Sequence, residues 1–172
     1  MQYIIIAPAC NVPLPGTNPK PNQMIIERAV EIGIELAKTG LGTVVIFTDG
    51  YTRKPEGLDP RIGFVQGGPK AAISQVMFLR QLKKYLQSLT EDYRLVGVLA
   101  PHYYRRWRRD TPKVLGVDIP VDSKLLKTPI RSFFSPEGAD IRSRHMLAWL
   151  TRELAIEIIC FVSWELYAKL SS

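Results

Sequence analysis

Cysteine and histidine are scarce in this chain, with two of each among 172 residues. Cys10 and Cys160 lie near opposite ends, without CxxC spacing or a neighbouring histidine. That excludes a disulfide framework and a zinc site of clustered ligands, and no metal is expected. Cys160, in an apolar stretch, reads as a small buried hydrophobe. Cys10 directly follows a strand and reads either the same way or as a neighbour of a ligand. A GxSxG elbow is absent and Ser74 falls in a predicted helix, so a Ser-His-acid triad has no support. Gly67-Gly68-Pro69 lacks the lysine and Ser/Thr that a phosphate loop needs. Long apolar runs are missing too. The stretch 154–170 is interrupted by Glu157, Glu165 and Lys169, short of the roughly 20 apolar residues of a membrane span. The first residues form no basic leader with a cleavage site. The expectation is a cytoplasmic protein without a membrane span and without internal repeats.

The residues present describe an ordinary globular chain, 46% hydrophobic and 23% charged. Its length suits one domain over residues 1–172, large enough to bury a substantial core. Lys and Arg outnumber Asp and Glu by 23 to 16, a formal charge of +7. That balance favours nucleic acid, acidic lipid or phosphorylated small molecules over cationic partners.

Residues 3–7 are a β-branched run without alternation, the pattern of a parallel strand covered on both faces. Five prolines follow within residues 8–21, which excludes a helix or an inner strand there. Asn22 is placed to cap a helix whose apolar positions run to Leu36 and Ala37, where Thr39-Gly40 stops it. Residues 43–48 read as a second buried strand, completing a βαβ unit. Residues 49–69, rich in Gly and Pro, read as a loop. Pro69 then opens a helix with the stripe Ala72, Ile73, Val76, Met77, Leu79, Leu82 and Leu86. Residues 95–100 form a third strand, His102 to Lys113 a short helix limited by Pro112, and residues 116–121 a fourth strand. Residues 122–140 are mostly irregular, and one long helix over 141–170 closes the fold. The pattern predicts a three-layer α/β/α sandwich, Rossmann-like, around a mostly parallel sheet of four to five strands.

In such sheets the ligand crevice lies beyond the carboxyl ends of the strands. That gathers residues 8–11, 49–51, 101–106 and 120–123. The most informative segment is residues 101–110, PHYYRRWRRD, directly after the third strand. Guanidinium groups hold phosphate or carboxylate through paired hydrogen bonds, and helix N-terminal amides add partial positive charge. In a helix Arg105 and Arg109 share one face and His102 and Arg106 another, so the four arginines cannot all enter one pocket. Arg108 and Arg109 read as a solvated face with Asp110 as counter-charge. Trp107 and Tyr103 either pack on the sheet or offer a flat surface to a base. His102 is the candidate proton-transfer group and Arg105 the charge stabiliser. His145 reads as a surface histidine. Asn11, Thr48, Asp49, Gly50 and Arg106 are candidate ligand contacts. Asp49-Gly50 fits either a ligand site or an Asp-Gly turn, and Gly50 permits positive φ or a close approach. The expected partner is a nucleotide-like or anionic small molecule. The alternative is a nucleic-acid module using residues 105–109. A homo-oligomer through the terminal helix is a third reading.

The strand leading into His102-Tyr-Tyr-Arg105-Arg106 resembles the late His-x-x-Arg motif of the YdcF/SanA-like family. Arg28-Ala29 on the first helix, Thr48-Asp49-Gly50 at a strand end and the Met77 helix are similar in order. Pro8-Ala9-Cys10-Asn11 stands where that family has a glycine-rich turn. The resemblance implies a Rossmann-like fold, a poorly defined activity, links to envelope metabolism and, in one branch, S-adenosylmethionine as ligand, while His102 as proton-transfer group and Arg105 as charge stabiliser would make an enzyme here a transferase or hydrolase without metal.

Overall fold

A computed structural model describes residues 1–14, 17–67, 75–139 and 144–170. The run Gln2–Ile6 forms β1 at the centre of a sheet, because its isoleucines are apolar on both faces. Ile4 and Ile6 pack under one helical layer and Ile5 with Ala7 under the other. Parallel neighbours flank it. β2 (Thr43–Asp49) sets Val45 beside Ile4 and Phe47 beside Ile6, and β4 (Tyr93–Gly97) sets Leu95 beside Ile4 on the other side. β3 (Ile62–Gly67) pairs with β2 at one edge, giving the order β3-β2-β1-β4. All four strands are parallel, so this is the three-layer Rossmann-like α/β arrangement.

Helix α1 (Lys20–Thr39) covers one face through Ile25, Ile26 and Ala29. The other face is covered by α2 (Gln75–Gln87), through Phe78, Leu79 and Leu82, and by α3 (Tyr104–Leu115), through Trp107. Short turns of helix follow at α4 (Ser123–Leu126) and Ile130–Phe133. The chain ends in α5 (Met146–Val162) and α6 (Trp164–Leu170).

Several boundaries depart from the sequence pattern for physical reasons. β3 lies inside the stretch read as loop, hidden by its glycines. At Gly67 a Cβ would stand 2.7 Å from the Phe47 ring and 3.1 Å from Gln81 Oε1, so packing demands glycine at that strand end. Residues 116–121 form a single bridge, Gly97 to Val121, not a strand. Pro120 has no N–H for a ladder, although its carbonyl accepts from Gly97 N at 2.8 Å. Helix α1 starts at Lys20 with Pro21 in its first turn, so Asn22 is not its cap. Gly40 ends it in the left-handed region, at φ 66°. Helix α3 runs through Pro112, and the carbonyl that loses its partner belongs to exposed Arg108. The expected single terminal helix breaks at Ser163, whose hydroxyl accepts from Leu166 N at 3.2 Å and so caps α6. The expected start of α2 at Pro69, with Ala72 and Ile73, and the start of the terminal helix at residue 141 lie outside the described residues.

Gly67→Ala is expected to destabilise the fold by about 1–3 kcal/mol, since a buried ring must move to admit the methyl. Urea unfolding measures this, and an unchanged midpoint contradicts the packing assigned to Phe47.

Candidate functional site

The chain runs outward from β1 through β2 to β3, then returns to place β4 on the opposite side of β1. The switch point therefore falls between the carboxyl ends of β1 and β4, where such sheets bind ligands. A cavity of about 100 Å³ lies there. Pro8 and Ala9 after β1, Asp49 at the end of β2 and Leu99 after β4 form its floor. Gln75 and Phe78 of α2, Arg106 of α3 and Arg152 of α5 are among its walls.

Two side chains shape the rim. Asn22 turns back from α1, accepting from Cys10 N and Asn11 N at 3.0 Å each and donating to the Asn11 carbonyl at 2.7 Å. It thus acts as a strand substitute that holds the proline-rich loop against β1. Asp49 ties the same loop to β2: its carboxylate accepts from Ala9 N at 2.5 Å and from Tyr51 N at 2.9 Å. Asp49 caps its own turn and also faces the cavity. Burial raises its pKa above the ordinary carboxylate value, against the pull of its hydrogen bonds.

Arg106 is buried within the first turn of α3. Its Nη2 donates to Glu153 of α5, while its Nε has no acceptor among the described residues. The indole N–H of neighbouring Trp107 is likewise buried without an acceptor among them. Tyr103 closes the rim, its hydroxyl donating to the Cys10 carbonyl at 3.1 Å and its ring lying under the Arg106 guanidinium.

His102 and Arg105 do not open into this cavity, contrary to the sequence-based expectation. His102 turns into an aromatic box of Tyr103, Phe133, Phe134 and Trp149, with ring centroids 4.4 to 6.0 Å away. Burial, with Arg106 nearby, drives its pKa down to about 3. Arg105 points to solvent, its side chain 84% exposed, with Glu157 at 3.3 Å. The cause is helical geometry: the residue entering the cavity from this turn is Arg106, and one position earlier faces away.

Of the remaining candidates, Asn11 is buried in the wall behind the loop and donates to the Phe133 carbonyl at 3.3 Å. Thr48 is buried with its hydroxyl on the Asp49 carbonyl, and Gly50 lies in the turn without positive φ. Neither Thr48 nor Gly50 is among the lining residues. Of residues 120–123, Asp122 is drawn to the far side by a two-bond pair with Arg28, at 3.0 and 2.9 Å. Arg109 is not a solvated cation: it bonds Asp110 at 2.7 Å and Glu157 at 3.0 Å. Arg108 and His145 are exposed as expected. Cys10 is buried near Asn22, and burial raises its thiol pKa above the ordinary range. Gln75, Phe78 and Arg152 have no local motif, and only the folded arrangement brings them to the cavity. Among the described residues no group of His, Cys, Asp or Glu is arranged to hold a metal ion, and no helix is long and apolar enough to cross a membrane.

A lowered histidine pKa means that the unfolded chain takes up a proton near pH 6.5 which the folded chain refuses until about pH 3. Stability from this group is therefore complete above the unfolded value and lost as the pH falls through that window. Between about pH 7 and pH 5 the loss is expected to be about 2 kcal/mol. His102→Phe, which fits the aromatic box, should flatten that slope in denaturant titrations, and an identical slope would contradict the assignment. No family model matches the chain and no curated protein does.

Proposed function

We propose that the protein binds a small anionic molecule, nucleotide-like or carboxylate-bearing, in the cavity at the carboxyl ends of β1 and β4. The observation that carries this reading is the surplus of donors over free acceptors in the lining. Arg106 Nε and Trp107 Nε1 are buried N–H donors without an acceptor among the described residues, whereas the one carboxylate among the described lining residues, Asp49, is already engaged by the amides of Ala9 and Tyr51. A ligand that accepts hydrogen bonds satisfies such a wall, and the guanidinium groups of Arg106 and Arg152 in the lining favour an anionic one. About 10–15 Å³ suffices for one water, so about 100 Å³ admits a phosphate or carboxylate group with part of its skeleton. Phe78, Leu99 and Trp107 give that skeleton an apolar bed.

The YdcF/SanA-like resemblance supports the same reading in so far as it implies S-adenosylmethionine as ligand in one branch. Asp49, not His102, is then the titratable group beside the ligand. Transferase or hydrolase chemistry, if carried out here, would use Asp49 as proton carrier and Arg106 as charge stabiliser.

Calorimetric titration with adenosine monophosphate, S-adenosylmethionine and inorganic phosphate tests the proposal. At least one is expected to bind, and Arg106→Lys or Arg152→Ala to weaken that binding about tenfold or more, as loss of a charge-assisted contact requires. Absence of binding by all three, or equal affinity in both variants, would overturn it.

A further inference from the structure

Helix α5 is amphipathic in the reverse of the usual sense. Its charged residues Arg152, Glu153 and Glu157 turn toward the cavity and the arginines of α3, while its outward face is apolar. Leu147, Thr151, Leu154, Ile158 and Phe161 follow one another at spacings of four, three, four and three, all exposed. Phe161 is 92% exposed and Leu147 73%. This is the spacing of a helix-pairing seam, with branched and leucine side chains available as knobs.

We propose that this face is where two copies of the chain associate, seam against seam about a two-fold axis. The large apolar side chains it exposes amount to on the order of 800 Å², above the roughly 300–600 Å² of an ordinary monomer's largest patch. That exposed area is of the same order as the ~800 Å² each partner buries in a standard stable interface. Charge also selects a second copy. The exposed residues of α5 include no charged side chain, so an identical face meets no like charge. A lipid surface would call for Lys or Arg beside the apolar stripe, and the helix's one arginine, Arg152, is turned to the cavity. Thr151, the polar residue in the seam, satisfies its hydroxyl within its own helix, on the Leu147 carbonyl at 2.8 Å. It therefore enters the interface without an unmet donor.

Multi-angle light scattering of the full chain at micromolar concentration tests this. The wild type is expected at twice the 19.5 kDa chain mass. Leu154→Asp with Phe161→Glu is expected at the single mass, its dimer affinity weakened about thirtyfold or more. These positions are exposed, so the circular dichroism spectrum should be retained, and Leu147→Glu repeats the test at the other end of the seam. A monomeric wild type overturns the proposal, including a monomer that co-floats with anionic vesicles, as does a dimer that survives all three substitutions.

Discussion

The junction of α3 with the terminal helices rests on buried charge pairing. Arg106 meets Glu153, Arg109 meets Glu157, and Asp110, fully buried, accepts from Arg109, Gln75 and the Tyr167 hydroxyl. Ions removed from water are costly unless partnered, and breaking one such pair costs about 3–5 kcal/mol because the abandoned charge stays buried. These partners dictate which way α5 faces. Its acids point to the arginines, and its leucines and phenylalanine have nowhere to point but outward.

The same orientation builds the cavity. Seating Glu153 on Arg106 brings Arg152 into the lining of the cavity, which Asp49 and Phe78 also line. Meanwhile the loop after β1 is held in place by Asn22 and Asp49, which take up amides that its prolines and missing ladder would otherwise leave unmet. The donor-rich cavity and the apolar outer seam are thus two faces of one docking event. The α/β core supplies the floor, and the ion pairs fix the wall.

Much of this architecture was legible in the sequence because burial on both faces writes continuous β-branched runs such as Tyr3-Ile-Ile-Ile and Val44-Val45-Ile46. The helices α1 and α2 showed equally through their apolar periodicity. β3 was not legible, since Gly63 and Gly67 serve close packing on Val45 and Phe47 and leave no periodic signal. Arg106 and Asp49, both read from the sequence as candidate ligand contacts, line one cavity. His102 and Arg105 lie away from that cavity through a rotation of one residue about the α3 turn, which sequence spacing cannot phase. Glu153 and Arg152 carry no motif at all. Their meaning comes from a helix some forty residues away, and only tertiary contact reveals it.

Hydrogen–deuterium exchange on Glu153→Gln tests the dependence on ion pairing most directly. If the Arg106–Glu153 pair seats the terminal helices, α5 and α6 will lose protection while β1, β2 and β4 keep theirs. Unchanged protection in α5 would show that the helix is held by something else, and the account of both the cavity wall and the outer seam would fail with it.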